Sequence, residues 1–304
     1  MSRRRPENLI TLREILTEAE RGQYAVGSFS PRCLPLIQPI LRAAQDLASP
    51  VIVQISQIEF DRYKITAEEF AAKFYELLEA EKITVPVVLH LDHTWELAVI
   101  QEAIAAGFTS VMIDASKLPL EENIAATRSV VEYSLPHNVS VEAELGRIGT
   151  SDFIETDTDE ELYTEPEEAQ GFVKETGVDA LAVSVGTSHG VYKVRQPKID
   201  YARLDAIRQL TSVHLVLHGG SGVPASMLHQ AIARPQGGIS KVNIATDLEL
   251  AFLEAVGSKE RLTNQECMKL PSSVLVQGQA AVEAVVRSKK QDFVCSAGKA
   301  EVEG

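Results

Sequence analysis

Apolar and polar positions along this chain alternate between two periods. Thr11-Leu12-Arg13-Glu14-Ile15-Leu16 opens an amphipathic helix, with Thr11 as N-cap and Glu14 three residues on. Short β-branched, nearly continuous apolar runs then recur at Tyr24–Phe29, Pro50–Ser56, Val85–Asp92, Ser110–Ala115, Val139–Gly146, Ala180–Gly186, His214–Gly219 and Ser240–Thr246. Between them, apolar residues at helical spacing predict helices over Leu34–Leu47, Thr66–Lys82, Trp95–Ala106 and Leu120–Ser134. Further helices are expected from about Pro166, from Asp247, and within about Ser273–Lys290.

Strand runs that stay apolar on both faces belong to a parallel sheet covered by helices. Eight of them, each followed by a helix, predict an α/β fold. It is a single (β/α)8 TIM barrel over residues 1–304, with an extra N-terminal helix and a long C-terminal helix. The rival is a doubly wound open sheet, but no GxGxxG follows the first strand. One connection breaks the rhythm. Ile148 to Glu165 is an acidic loop of roughly 18 residues, a length usual for functional lids or disordered segments.

Composition narrows the partners more than the fold. With 45% hydrophobic and 24% charged residues, the 304-residue chain has enough apolar surface for a large core. Its 43 acidic residues outnumber 29 basic ones, for a formal charge of −14. That balance argues against nucleic acid or an anionic membrane as the main partner and leaves room for a local phosphate site. Cys33, Cys267 and Cys295 are too few and scattered for a disulfide framework or a CxxC knuckle. No stretch approaches the ~20 apolar residues of a membrane span, and no signal-peptide core follows Arg3-Arg4-Arg5. A soluble, cytoplasmic protein is expected.

Chemistry collects at the strand ends, where barrel enzymes carry it. In chain order these ends supply Ser56, Asp92 with His93, Asp114, Glu142 with Glu144, His189, His218, and Asn243 with Thr246. Four of the seven histidines, His90, His93, His189 and His218, lie at or just past three strand termini. Three imidazoles from different strands, with a position left open, suit a catalytic zinc ion. Taken singly, each histidine is as well explained as a satisfied core or capping residue. Two glycine-rich turns each contain one of them: Gly186-Thr187-Ser188-His189-Gly190, with Lys193 behind it, and His218-Gly219-Gly220-Ser221-Gly222. Such turns let backbone N–H groups approach a phosphate. Asp92 is a candidate for proton transfer, or an N-cap to the following helix.

Several of these stretches, in order, resemble the class II, zinc-dependent fructose- and tagatose-bisphosphate aldolases. They are His90-Leu91-Asp92-His93, the run Gly107 to Asp114, and Val141-Glu142-Ala143-Glu144-Leu145-Gly146. Gly186 to Gly190, Leu217 to Gly222, Lys241 to Thr246 and Ser296-Ala297-Gly298-Lys299-Ala300 complete the set. The resemblance implies reversible cleavage of a phosphorylated ketose to dihydroxyacetone phosphate and an aldehyde. By position, His93, His189 and His218 are its zinc ligands, and Asp92 moves the proton of the C4 hydroxyl. Asp114 and Glu144 match positions that hold a second, noncatalytic divalent metal or an alternative zinc position. Gly190, Lys193, Gly219, Ser221 and Thr246 match the phosphate cradle and Asn243 the enediolate contact; Gly220, in the same turn, and Ser56, at its strand end, are further candidates for substrate binding. Carbonyls near Gly190 and Gly219 match a monovalent cation site for Na+ or K+. Asp152, where the family usually has Glu, is the proton donor from the long loop. A homo-oligomer, dimer or tetramer, is implied as well.

The departures concern the substrate. Phe29-Ser30-Pro31 stands where the family reads Phe-Asn, Ala115 replaces a glycine, and Thr150-Ser151 interrupts a glycine–glutamate pattern. Leu270-Pro271-Ser272 stands where relatives have Asp-Pro-Arg, whose arginine grips the distal phosphate across a subunit interface. Serine cannot make that bidentate contact. The expected substrate is a ketose 1-phosphate or a ketose 1,6-bisphosphate; the missing arginine favours a different, unphosphorylated aldehyde unless another basic residue, such as Arg32 or Lys290, replaces it. The alternatives are a Schiff-base aldolase using Lys241, a metal-dependent sugar-phosphate isomerase or epimerase, and a non-catalytic partner subunit of the same fold.

Overall fold

A computed structural model describes residues 5–146, 149–150, 163–189 and 197–300, with backbone alone at 149–150 and 188–189. Ten strands follow one another as β1 (Val26–Phe29), β2 (Val51–Ser56), β3 (Val87–Thr94), β4 (Ser110–Ile113), β5 (Ser140–Leu145), β6 (Gly149–Thr150), β7 (Ala180–Val183), β8 (Ser188–His189), β9 (His214–Leu217) and β10 (Ile239–Ile244). Eight of them close a parallel barrel in the order β1-β10-β9-β7-β5-β4-β3-β2. Its seam pairs Val26 with Lys241 through to Phe29 with Ile244. The two short strands, β6 and β8, form a separate parallel pair.

The N-terminal helix α1 (Leu12–Arg21) is capped as its sequence predicts: the Thr11 hydroxyl accepts from Glu14 N, and the Glu14 side chain reaches back to the cap. It does not join the outer ring of helices. Its buried Leu12, Ile15, Leu16 and Ala19 form one apolar cluster with Val26, Ile52, Val88, Met112, Ala180 and Val216 from the lower part of the strands. The helix thus plugs the N-terminal end of the barrel, and burying each of its large aliphatic side chains stabilises by roughly 1.5–3 kcal/mol. A larger cluster fills the space between the strands and the surrounding helices.

Those helices are α2 (Ile37–Asp46), α3 (Gln57–Tyr63), α4 (Ala67–Ala80), α5 (Leu97–Ala106), α6 (Leu120–Ser134), α7 (Pro166–Thr176), α8 (Tyr201–Leu210), α9 (Ala225–Ile232), α10 (Thr246–Val256), α11 (Asn264–Met268) and α12 (Ser272–Ser288). Boundaries and helix count depart from expectation. A 3-10 turn at Leu34–Leu36 precedes α2, with Pro35 in its first turn. Helix α5 starts two residues late because β3 continues to Thr94. Helices α3, α8, α9 and α11 have no range assigned from sequence; α3 is seeded by a capping box between Ser56 and Glu59 at the end of β2.

Above the plug the interior changes character. Ser28, Gln54, His90, Glu142, His218, Lys241 and Asn243 are all buried there. Strand period explains the change: Ile52 and Gln54, and Val88 and His90, are two residues apart and share an inward face.

Candidate active site

The densest cluster forms where β3 ends. Asp92 and His93 are consecutive, so a regular strand would send them to opposite faces. A bulge resolves this: Leu91 pairs with Val111 of β4, but the next partners are Thr94 and Ile113, so β3 carries one extra residue. The Thr94 hydroxyl donates to the Asp92 carbonyl at 2.9 Å, and Asp114 N donates to the Thr94 carbonyl at 2.8 Å, holding the bend. Asp92 is not an N-cap; that position of α5 belongs to Glu96.

Asp92, His93 and His218 bring ligand atoms within 4.8 Å of one another, and so do His93, Asp114 and Glu144. The imidazole rings of His93 and His218 stand 4.5 Å apart, centre to centre. His93 Nδ1 lies 2.8 Å from Asp114 Oδ2, and His218 Nδ1 lies 3.3 Å from Glu144 Oε2. Ser116 donates from backbone and hydroxyl to Asp114 Oδ1. Asp92 is aimed by two amides: Gln54 Nε2 donates to Oδ2 at 2.9 Å, and Asn243 Nδ2 donates to Oδ1 at 3.0 Å.

The charges explain one another. Burial pushes the Asp92 carboxyl up, but His93, Lys241, His218 and His90 outweigh it and hold it well below the usual range. Burial pushes His93 down, yet Asp92, the Asp114 hydrogen bond and Glu144 lift it to about 10. His218 is also raised, against burial and His93, by its bonds to Glu142 and Glu144. His90 goes the other way, to about 3, through burial and the neighbouring Lys241. Its Nδ1 is 2.8 Å from Ser110 Oγ and its Nε2 3.8 Å from Asp92 Oδ1, a supporting place beneath the carboxylate. A field that stabilises positive charge on imidazole this strongly also favours a divalent cation. Among the described residues, Asp92, Asp114, Glu142 and Glu144 face one ammonium, Lys241. The donor set fits a metal.

The remaining predicted residues distribute around this centre. In the turn after β9, Gly219 adopts φ +68°, and a Cβ on Gly220 would meet Val242 and the Asn243 carbonyl at 2.5 and 2.9 Å. Ser221 Oγ accepts from Asp247 N at 3.3 Å, so this turn abuts the N-terminus of α10, whose first residue is Thr246. Ser56 caps α3 at the end of β2. The backbone of His189 pairs with Thr150 through β8 and β6. The His189 side chain, Gly190, Lys193 and Asp152 lie outside the described residues.

Sequence passed over Gln54, placed Glu142 among the strand-end groups without a role, and gave Lys241 a part only in the Schiff-base alternative. The signal was present: each precedes a predicted site residue by two positions, namely Ser56, Glu144 and Asn243, and so shares its inward face. The two basic residues proposed to replace the missing arginine are otherwise engaged. Lys290 is fully buried and donates to Ser49 Oγ and the Pro50 carbonyl, at the opposite end of β2 from Ser56. Arg32 pairs with the buried Glu59, lies 4.0 Å from Glu249, and sits over the Tyr63 ring.

A barrel whose mouth gathers imidazoles and carboxylates around such a centre is a metal-site (β/α)8 enzyme. The family model for fructose-bisphosphate aldolase class-II matches residues 10–299. A fructose-bisphosphate aldolase of Geobacillus stearothermophilus is 42% identical over 295 residues, 96% of this chain and 99% of that one. One of Staphylococcus aureus strain Mu50 is 37% identical over 292 residues, 94% and 97% of the two chains. The crystal structure of the YdjI aldolase from Escherichia coli K12 is similar with a TM-score of 0.81 at 31% identity, covering 96% of this chain and all of that one.

The chain belongs to the class-II fructose-bisphosphate aldolase family. It is an aldolase, a lyase of carbohydrate metabolism, in a metal-dependent class that acts on phosphorylated sugars. Among the described residues, no helix is long and apolar enough to cross a membrane.

Proposed function

We propose that this aldolase is zinc-dependent and cleaves a ketose 1-phosphate to dihydroxyacetone phosphate and an aldehyde without a terminal phosphate. His93, His189 and His218 would hold the zinc, with Asp114 and Glu144 as the second metal position. Bound there, zinc supplies Lewis-acid polarisation of the ketose carbonyl. Asp92 takes the C4 hydroxyl proton; its carboxylate is kept ionised by its neighbours and aimed by Gln54 and Asn243. The Asn243 amide contacts the enediolate, and Asp152 returns a proton to it from the long loop.

Gly190, Lys193, Gly219, Gly220, Ser221 and Thr246 cradle the phosphate. The close turn after β9 abuts the N-terminus of α10, and a helix N-terminus favours an anion. Carbonyls near Gly190 and Gly219 take Na+ or K+. Ser56 faces the aldehyde end. A homo-oligomer in the cytoplasm completes the proposal.

One observation carries the choice of aldehyde: the family's arginine position holds no charge, and Arg32 is already engaged. Ser272 replaces the family's arginine, and Arg32 already lies between Glu59 and Glu249. Comparing cleavage of a ketose 1-phosphate with that of fructose 1,6-bisphosphate tests it. The expected kcat/KM ratio favours the monophosphate by about tenfold or more, equivalent to about 1.4 kcal/mol. Strong preference for the bisphosphate would sink the proposal.

A further inference from the structure

Two wholly buried charges stand outside the proposed chemistry, Glu142 on β5 and Lys241 on β10. The two strands are not neighbours in the barrel, so their 2.9 Å ion pair spans its interior. Lys241 Nζ also donates to Asn243 Oδ1 at 2.7 Å. Glu142 Oε1 lies 2.9 Å from His218 Nε2, and Asn243 Nδ2 lies 3.0 Å from Asp92 Oδ1. One ammonium therefore stands at the fork of two hydrogen-bonded chains. One chain ends on a proposed zinc ligand, the other on the proposed base.

Each chain removes a chemical ambiguity. An amide can point either way, but an ammonium only donates. Lys241 thus claims the Asn243 oxygen and sends the amide nitrogen to Asp92. An imidazole has two tautomers, but an ionised carboxylate only accepts. Glu142 thus requires the proton on His218 Nε2, which makes Nδ1, on the Glu144 side, the ligating edge. Carboxylate contacts of this kind orient metal-bound histidines and raise their basicity.

We infer that Glu142 and Lys241 are positioning residues: their pair sets the His218 tautomer for the metal and the Asn243 amide for Asp92, coupling metal affinity to base placement. The inference rests on the zinc aldolase reading. A merely structural pair would also make each single variant unstable, because a stranded buried charge is costly. The test therefore uses Glu142→Gln/Lys241→Met, which strands none. Its thermal midpoint, its zinc affinity by competition with a chromophoric chelator, and kcat separately from KM are measured beside the wild type.

The expected result is a zinc affinity lowered by about 10- to 100-fold. At saturating zinc, kcat falls at least tenfold while KM changes little, and the thermal midpoint stays near the wild type's. Zinc affinity and kcat equal to wild type would overturn the inference and leave the aldolase reading intact. A wild type that binds no zinc would instead overturn the reading. Should the double variant not fold, a crystal structure of the zinc-loaded wild type decides. Zinc on His218 Nδ1 with Nε2 against Glu142 supports the inference, and zinc on Nε2 overturns it.

Discussion

Two charge clusters, each built on buried carboxylates, share the mouth of this barrel and differ in what they leave over. On the β3, β4, β5 and β9 side, Asp92, Asp114, Glu142 and Glu144 surround three imidazoles, His90, His93 and His218, and, among the described residues, one ammonium, Lys241. On the β10, β1 and β2 side, Glu59 and Glu249 meet Arg32 and Arg261, while Tyr63 donates to Glu249 at 2.9 Å. The first cluster has surplus negative charge, visible in the His93 imidazole raised, against its burial, to about 10. The second is neutralised within itself. Burial alone therefore does not mark a ligand site; an uncompensated charge among buried groups does. A dication completes the first cluster, whereas a phosphate at the second would have to displace carboxylates already bound to arginine.

The sharpest way to break this contrast is to remove the chemistry of the first cluster. Asp92→Asn should lower kcat by about 10²- to 10⁴-fold, the usual yield of general acid–base catalysis. Zinc content measured by atomic absorption should stay unchanged, since the amide preserves shape and removes the base. Chelation by EDTA should abolish turnover in the wild type, and added zinc should restore it. Full activity in excess EDTA would refute metal dependence through this site.

Opening the second cluster should cost stability first. Glu59→Gln leaves Arg32 only its 4.0 Å contact with Glu249 and should lower unfolding free energy by up to about 3 kcal/mol in urea titrations, with Arg32→Met/Glu59→Gln recovering most of it. With Arg32 released, kcat/KM of the single variant for fructose 1,6-bisphosphate should rise relative to that for a ketose 1-phosphate. No change in that ratio would remove Arg32 from the aldehyde end.

A third buried cation, Lys290, supplies a control away from the mouth. Burial lowers its ammonium to about 7, and among the described residues no carboxylate offsets it. Below about pH 7 both folded and unfolded chains carry the proton, and the burial penalty is fully present. Between there and the ordinary lysine range near 10.5, the unfolded chain binds a proton that the folded one does not, so stability rises with pH. The slope is at most about 1.4 kcal/mol per pH unit. Lys290→Met should therefore be more stable than wild type at pH 6, with the gap closing toward pH 10. A gap independent of pH would refute it. The smallest effect belongs to an uncharged cap: Thr11→Ala should cost about 1 kcal/mol without altering either substrate's kcat/KM.

The barrel was legible because its signals are local. Each strand run and each helix period lies within one short stretch, and eight repeats of the pair leave little choice of architecture. The positions of Asp92, His93, His218 and Asn243 were legible for the same reason, as polar residues ending apolar runs. The α1 plug was not, since an amphipathic face does not say whether it packs on the outside of a sheet or under it. Nor was the bulge that turns Asp92 and His93 to one side, because it exists only as a mismatch between β3 and β4.

Residue types and their spacing by themselves determined an eight-stranded parallel barrel and a mouth rich in histidine and carboxylate; the aldolase class came from the resemblance of whole motifs to a known family. Tertiary structure decided which of those groups answer each other. Glu142 meets His218 across 76 positions and Asn243 meets Asp92 across 151, distances over which sequence carries no geometric information. Whether a buried charge is paired or left to bind something depends on closing those long loops, and only the folded barrel closes them.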